Sequence, residues 1–112
     1  MPDGETKRYR FDRWTLDVPR RVLLDETGQE VPLGTAEFRL LQALVTRPGV
    51  VLNRDQLLDI TAGRAAQMFD RSIDNLVSRL RKRIERDPLQ PSIIKTVWGN
   101  GYMVVGPVEE VP

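Results

Sequence analysis

The sequence of 112 residues is the length of one domain, and its 40% hydrophobic and 29% charged content is typical of a globular chain. It contains no cysteine and no histidine, which excludes disulfides, Cys- or His-based metal sites and the commonest general base. The formal net charge is only +1, so a basic surface has to be local. Without a signal peptide or a long apolar run, we expect a cytoplasmic protein with no cofactor or metal.

The N-terminal third has the pattern of a small antiparallel sheet. Residues 1–8 are polar and are interpreted as a linker remnant or a disordered tail. Residues 9–33 contain four short runs in which apolar and polar residues alternate, with turn signals at Pro19 and Gly28 between them. This pattern predicts four strands with one apolar face, which the following helices would cover. We assign the domain to residues 9–106 and a flexible C-terminal tail to residues 107–112.

Two amphipathic helices are predicted after this sheet. The first spans residues 35–47, with Thr35 as the N-cap and Glu37 in the first turn, where the helix dipole favours an acid. The second spans residues 53–62, where Asn53 and Gln56 have the spacing of a capping box. Both helices supply core residues, and residues 63–69 form the connection that follows.

A third amphipathic helix is predicted over residues 70–87, with Asp70 as the N-cap and Pro88 as the stop signal. At roughly 100° per residue, one narrow face is apolar and the opposite face is polar and basic. That basic face is either simply solvated or binds an anionic partner, because Arg and Asn carry donors suited to phosphates and base edges. The apolar face comprises Ile73, Leu76, Val77, Leu80 and Ile84, and the opposite face carries Arg71, Asn75, Ser78, Lys82 and Arg86, with Ser72 and Arg79 at its margin.

A hairpin is predicted over residues 93–105. Asn100-Gly101 is a strong tight-turn signal, and Gly99 adds a second unconstrained position. Lys95 and Thr96 are expected to point away from the core. The hairpin is either a plain edge hairpin or, since it directly follows a basic helix, a wing that contacts DNA. In a helix-turn-helix arrangement of this kind the second helix enters the major groove.

Four sequence motifs in a fixed order carry a family resemblance. They are LGTAEFRLL at 33–41, VLNRDQL at 51–57, RSIDNLVSRLRK at 71–82 and KTVWGNGY at 95–102. With these motifs the chain resembles the C-terminal effector domain of OmpR/PhoB-type response regulators, the winged-helix transcription factors of bacterial two-component systems. Within the family the chain is most similar to the OmpR branch, because Trp98 stands where that branch also has tryptophan.

The resemblance implies an α+β winged helix-turn-helix fold with an N-terminal four-stranded sheet, three helices and a C-terminal hairpin wing. It implies that residues 70–87 form the recognition helix in the major groove, with wing 93–105 on the adjacent backbone or minor groove. Positions matching base contacts are Asn75 and Arg79. Positions matching contacts to the DNA backbone are Arg71, Ser72, Ser78, Arg81 and Thr96, to which we add Lys82; the wing comprises Lys95, Trp98, Gly99, Asn100 and Gly101.

At one wing position the chain departs from part of the family. Where those members have an arginine that enters the minor groove, this chain has Trp98, which would either contact DNA or pack at the base of the hairpin. The resemblance further implies that the loop at residues 61–69 contacts RNA polymerase in activators, which would involve Arg64, Gln67 and Met68.

Binding rather than catalysis is the function expected from these motifs. The resemblance implies double-stranded DNA with tandem half-sites as the partner, a monomer in the isolated domain and a dimer on DNA. It also implies an N-terminal receiver domain, which this chain lacks, so we expect a fragment of a longer regulator. The alternative is a winged-helix module for protein–protein contacts or RNA binding. An enzyme is not supported, since no paired carboxylates or activated nucleophile are found at a motif spacing.

Overall fold

The structure, a computed structural model, describes residues 7–62 and 71–111, with the backbone only for Ala62, Arg71 and Ser72. Three helices, an N-terminal antiparallel sheet and a C-terminal hairpin confirm the predicted α+β architecture. Within the residues described, no helix combines the length and apolar character that crossing a bilayer requires. The elements in chain order are β1 (Arg8–Phe11), β2 (Trp14–Asp17), β3 (Val22–Leu24), β4 (Glu30–Val31), α1 (Thr35–Val45), α2 (Arg54–Ala62), α3 (Arg71–Ile84), β5 (Ile94–Val97), β6 (Gly101–Val104) and β7 (Val108–Val111).

The four predicted N-terminal strands are joined by a fifth, in the order β4-β3-β2-β1-β7. The prediction of a flexible tail over residues 107–112 is therefore wrong for Val108–Val111, which pairs antiparallel with β1. The outer edge of β1 carries backbone donors and acceptors that an added strand satisfies. Val108 also packs against the core. Across the two strands, Arg10 Nη1 lies 3.6 Å from Glu109 Oε1.

Strand β1 begins at Arg8, a residue that the sequence pattern assigned to the N-terminal linker. Its guanidinium Nε donates to Asp17 Oδ2 over 3.2 Å, and Asp17 is only 3% exposed. This pair joins the start of β1 to the end of β2. Residues 1–6, the rest of the predicted linker, lie outside the described residues.

The N-terminus of α1 differs from the prediction by one residue. Gly34, not Thr35, is the N-cap, and its N–H donates to Glu37 Oε1 over 3.3 Å. Glu37 can reach back in this way because it is the third residue of the helix, where a carboxylate satisfies a free amide. The helix ends at Val45, two residues before the predicted end, and the Thr46 hydroxyl donates to Gln42 O over 2.7 Å.

The capping box predicted for α2 is confirmed. The Asn53 N–H donates to Gln56 Oε1 and the Gln56 N–H donates to Asn53 Oδ1, each over 2.8 Å. These reciprocal bonds fix where the chain enters α2. Leu57 on this helix is fully buried in the core that the sheet, the three helices and the hairpin share.

Helix α3 ends at Ile84 rather than at the predicted residue 87. Trp14 Nε1 donates to the Ile84 carbonyl over 2.9 Å, which satisfies an acceptor at the helix end. The next residue, Glu85, is 5% exposed and turns toward β5, where its carboxylate accepts the N–H groups of Ser92, Ile93 and Ile94. These bonds explain why the chain leaves the helix before Pro88. The predicted N-cap Asp70 lies outside the described residues.

The turn of the β5–β6 hairpin is centred on Trp98 and Gly99, two residues before the Asn100-Gly101 signal. The Asn100 N–H donates to Val97 O over 2.8 Å, and Gly99 has a positive φ of 82°. Gly101 is already part of β6, where a Cβ atom would lie 2.1 Å from the Leu52 carbonyl oxygen. Gly101 is thus required for close approach to the backbone before α2 and is not a turn residue.

Candidate nucleic-acid interface

Helix α3 separates a buried face from an exposed polar face. The five predicted core residues are all at most 8% exposed, which confirms that face: Ile73, Leu76, Val77, Leu80 and Ile84. On the other face Asn75, Ser78, Arg79 and Lys82 are exposed, as predicted. Neither Arg79 nor Lys82 lies within ion-pair distance of an acid among the described residues, so their charge is available to a ligand.

Two other cations of this segment do not contribute free charge to that face. Arg83 points toward α1, where its Nε lies 3.0 Å from Glu37 Oε1. Arg86 follows the helix end and lies 3.7 Å from Asp12 Oδ2 in the β1–β2 turn. Counting every Lys and Arg between residues 71 and 86 would therefore overstate the positive charge that the exposed face of α3 presents.

Arg81 and Thr96, both predicted to contact the DNA backbone, lie together. Arg81 Nη2 donates to Thr96 Oγ1 over 2.9 Å and to the Ile94 carbonyl over 2.8 Å. Arg81 thereby links α3 to β5 through neutral acceptors and keeps its positive charge at the junction of helix and hairpin. A phosphate beside this junction would be within reach of one fixed guanidinium and one hydroxyl.

A polar cluster centred on Asp74 lies at the same junction. Asp74 Oδ1 accepts a hydrogen bond from the Tyr102 hydroxyl of β6 and another, over 2.9 Å, from Arg54 Nε of α2. The Arg54 and Arg81 guanidinium carbons lie 5.5 and 5.6 Å from the centre of the Tyr102 ring. One carboxylate therefore joins α2, α3 and the hairpin.

Two members of this cluster, Tyr102 and Arg54, have raised pKa values. Burial, reinforced by the hydrogen bond to Asp74, raises the pKa of Tyr102 above its ordinary 10.0. The hydrogen bond to Asp74 also raises the pKa of Arg54. The Tyr102 hydroxyl and the Arg54 guanidinium therefore keep their protons, and remain donors to Asp74, up to a higher pH than free side chains would.

The hairpin presents an aromatic side chain at its tip. Trp98 is 87% exposed, so of the two alternatives left open by the sequence, packing at the base of the hairpin is not observed. Its position follows from the turn, since residues 98–100 protrude beyond the paired strands. Lys95, on the strand that leads to this turn, is also exposed. The wing therefore carries a cation and a flat apolar surface outside the core.

The described residues leave some predicted positions undefined. Arg71 and Ser72 belong to the first turn of α3, but their side chains lie outside the described set. The predicted polymerase-contacting residues Arg64, Gln67 and Met68 also lie outside it.

Sequence reasoning missed the Asp74 cluster. Arg54, Asp74 and Tyr102 all occur within the motifs used for the family resemblance, yet none was assigned a role. The available signal was the combination of an acid on the helix flank with a tyrosine after Gly-Asn-Gly. The bridge between Leu52 and Tyr102, with backbone bonds of 2.9 and 3.0 Å, holds the start of α2, and with it Arg54, beside this site.

The helices and wing define a protein of the winged-helix class, and comparison with known proteins identifies its family. Residues 28–104 match the family model described as "Transcriptional regulatory protein, C terminal". The chain belongs to this family, as the C-terminal domain of an OmpR/PhoB-type response regulator.

Curated relatives are similar over most of the chain. "Regulatory protein VirG" of Agrobacterium fabrum is 45% identical over 98 residues, which are 88% of this chain and 39% of the relative. "Transcriptional regulatory protein AruR" of Pseudomonas aeruginosa is 45% identical over 94 residues, 84% of this chain and 38% of the relative. The chain thus spans less than half the length of these relatives.

Solved structures share the fold. Response regulator DrrB of Thermotoga maritima, an OmpR/PhoB homolog, has a TM-score of 0.80 and 33% identity, over 88% of this chain and 44% of that one. The Klebsiella pneumoniae RstA DNA-binding domain, solved in complex with the RstA box, has a TM-score of 0.76 and 36% identity, over 88% and 97% of the two chains.

Proposed function

We propose that this chain binds double-stranded DNA in a sequence-specific manner, as the output domain of a two-component transcriptional regulator. The observation that carries the proposal is the exposed face of α3, where Asn75, Arg79 and Lys82 have no competing acid among the described residues. The family membership and the DNA complex of the similar RstA domain support it.

In this proposal α3 lies in the major groove. Arg79 and Asn75 read base edges, because a guanidinium fits guanine and a carboxamide fits adenine, each contact being worth about 1–3 kcal/mol of discrimination. Ser78 and Lys82 contact the backbone on either side, as do Arg71 and Ser72 at the start of the helix. Such contacts set the register of the protein and supply most of the salt-dependent affinity.

The wing follows the adjacent backbone or minor groove. Arg81 and Thr96 together receive one phosphate, and Lys95 contacts the next part of the strand. Trp98, at the exposed turn with Gly99 and Asn100, packs on a sugar or on the groove wall rather than on its own hairpin. This contact replaces the minor-groove arginine of other family members.

The assembly on DNA is also part of the proposal. We expect the isolated domain to be a monomer that occupies tandem half-sites as a dimer on DNA. In a longer regulator, the loop at residues 61–69 would contact RNA polymerase at activated promoters. The chain's own residues perform the binding, and no catalytic step is required.

The test is fluorescence anisotropy on random duplexes and on duplexes enriched by selection, over a salt series. If about four cations contact phosphates, the slope of log K against log salt should be about −4 per domain. The selected sites should contain a repeat spaced by about one helical turn.

A matched control distinguishes the contribution of α3 to DNA binding from that of the overall charge of the protein. Lys82→Ala should reduce the magnitude of the salt slope by roughly one, whereas Arg20→Ala in the turn between β2 and β3 should leave it unchanged. Arg20 is suitable because it is 58% exposed and pairs with Glu30 far from α3 along the chain. Equal binding to duplex RNA, or full binding by a Lys82→Ala, Arg79→Ala variant, would instead favour the RNA-binding or protein–protein alternative.

A further inference from the structure

The described arginine side chains fall into two groups by their partners. One group lies within 4.0 Å of a carboxylate: Arg8, Arg10, Arg13, Arg20, Arg54, Arg83 and Arg86. The other group has no acid partner among the described residues: Arg21, Arg39, Arg47, Arg79 and Arg81. Arg79 and Arg81 belong to the proposed DNA-binding face, but the remaining three require another explanation.

Those three arginines line one groove. Arg39 and Arg47 come from α1, and Arg21 comes from the turn between β2 and β3. The groove has a volume of about 320 Å³, and Ile60 of α2 contributes to its wall. No acidic side chain lines it within the part of the chain that the structure describes, so we call it the arginine groove.

Neutral groups hold each guanidinium of the arginine groove in place. Arg39 Nη1 donates to the Thr61 carbonyl over 3.3 Å, and Arg47 Nη1 donates to the Ala43 carbonyl over 3.2 Å. The Arg21 guanidinium carbon lies 5.0 Å from the centre of the Phe38 ring. These contacts restrict the side chains without neutralising them, and the remaining N–H groups can still form forked bonds with carboxylates. Such preorganisation lowers the entropy cost of binding an anion.

The arginine groove lies on the opposite side of α1 from α3. Glu37 of α1 accepts from Arg83 of α3, which marks the side that faces α3. Arg39 is two residues further along, or about 200° around the helix axis. A ligand in this groove would therefore not compete with a duplex on α3.

The arginine groove combines cationic and apolar side chains, and this combination favours one class of ligand. Ile60 is 37% exposed beside the arginines, an apolar contact that a free phosphate or a DNA backbone cannot use. A polypeptide with acidic side chains around an apolar one can satisfy both features. We propose that this groove docks an acidic segment of a partner protein, with carboxylates on Arg39 and Arg47 and one apolar side chain against Ile60. This proposal does not depend on the DNA-binding function.

The experiment is a selection of short random displayed peptides on the immobilised domain. We expect enrichment of peptides that have two or more acidic residues next to an apolar one. A synthesised, labelled lead peptide should bind the Arg39→Gln, Arg47→Gln variant at least about tenfold more weakly than wild type. The Arg10→Gln, Arg20→Gln variant loses the same charge on β1 and in the turn between β2 and β3, at residues that do not line the groove, and should bind as wild type does. Amide NMR shifts on adding the peptide should cluster on α1 and α2.

Three results would overturn the proposal: no enrichment of acidic peptides, equal weakening by both double variants, or displacement of the lead peptide by inorganic phosphate alone. Circular dichroism checks that each variant is folded. Duplex binding by the Arg39→Gln, Arg47→Gln variant should equal that of wild type. Loss of peptide binding with DNA binding retained therefore distinguishes this site from the one on α3.

Discussion

Replacing Gly101 by alanine should destabilise the domain more than any other substitution of a glycine in the wing. Gly101 has a φ of 141°, in a region that residues with a Cβ rarely adopt. Its added Cβ would lie 2.1 Å from Leu52 O and 2.8 Å from Asn53 Cα, both backbone atoms that cannot rotate away. The substitution therefore acts on the junction between the wing and the residues that precede α2.

The expected magnitude follows from this geometry. To bring the new Cβ to an ordinary contact of at least 3.4 Å, the two backbones must separate by about 1.3 Å. That separation breaks the Leu52–Tyr102 backbone bonds of 2.9 and 3.0 Å, each worth about 1 kcal/mol. The unfavourable φ adds about 1–3 kcal/mol. We expect a loss of roughly 3–5 kcal/mol in the free energy of unfolding, a large part of the stability of a domain this size.

Urea denaturation followed by tryptophan fluorescence measures this loss, because Trp14 is buried and reports the core. Gly99→Ala is the matched control, since Gly99 also has a positive φ but no atom lies within 4 Å of its added Cβ. It should cost only about 1 kcal/mol, from backbone conformation alone. If Gly101→Ala cost no more than Gly99→Ala, the close approach of β6 to Leu52 would be refuted.

Three further substitutions test α3 and its junction with the wing. Leu80→Ala should cost roughly 2–5 kcal/mol in urea denaturation, because Leu80 is fully buried; a near-neutral result would mean that α3 is rotated. Arg79→Ala should leave the fold intact and relax sequence preference by about 1–3 kcal/mol in a selection from random duplexes; unchanged preference would remove its role. Since the pKa of Tyr102 is raised above 10.0, wild type should lose stability as pH rises beyond 10.0. Tyr102→Phe should show a smaller loss over the same rise in pH beyond 10.0, and an identical loss in both proteins would argue against the raised pKa of Tyr102.

Periodicity and capping signals were enough to predict the helices and most strands. The buried face of α3 follows from the spacing of Leu80 and its neighbours, and the capping box of α2 follows from Asn53 and Gln56. In each case the deciding interaction lies within about four residues along the chain. Such patterns can be recognised in the sequence without knowing the tertiary contacts, and the packed structure retains the helices that they predict.

Apart from shifts of one or two residues at the ends of α1, the following errors occurred where distant residues decide the local structure. Helix α3 ends early because Trp14 binds its last carbonyl and Glu85 accepts amides from β5. Val108–Val111 is a strand because the edge of β1 is available to it. Gly101 resembles a turn glycine, but the backbone of Leu52 determines its role. None of these partners is adjacent in sequence, so composition and spacing could not indicate them.

In the candidate interface, too, the features set by neighbouring residues could be predicted and those set by distant residues could not. The distant contacts also explain why the wing and α3 can act together. The exposed residues of α3 could be predicted because they follow from the position of its buried face. Their alignment with the wing could not, because it depends on Asp74 holding Arg54 and Tyr102, and on Arg81 bonding to β5 and Thr96. These bonds join α2, α3 and the hairpin through polar groups that are already ordered. A duplex that contacts α3 would therefore meet the wing at a fixed distance, without the entropy cost of ordering a mobile hairpin.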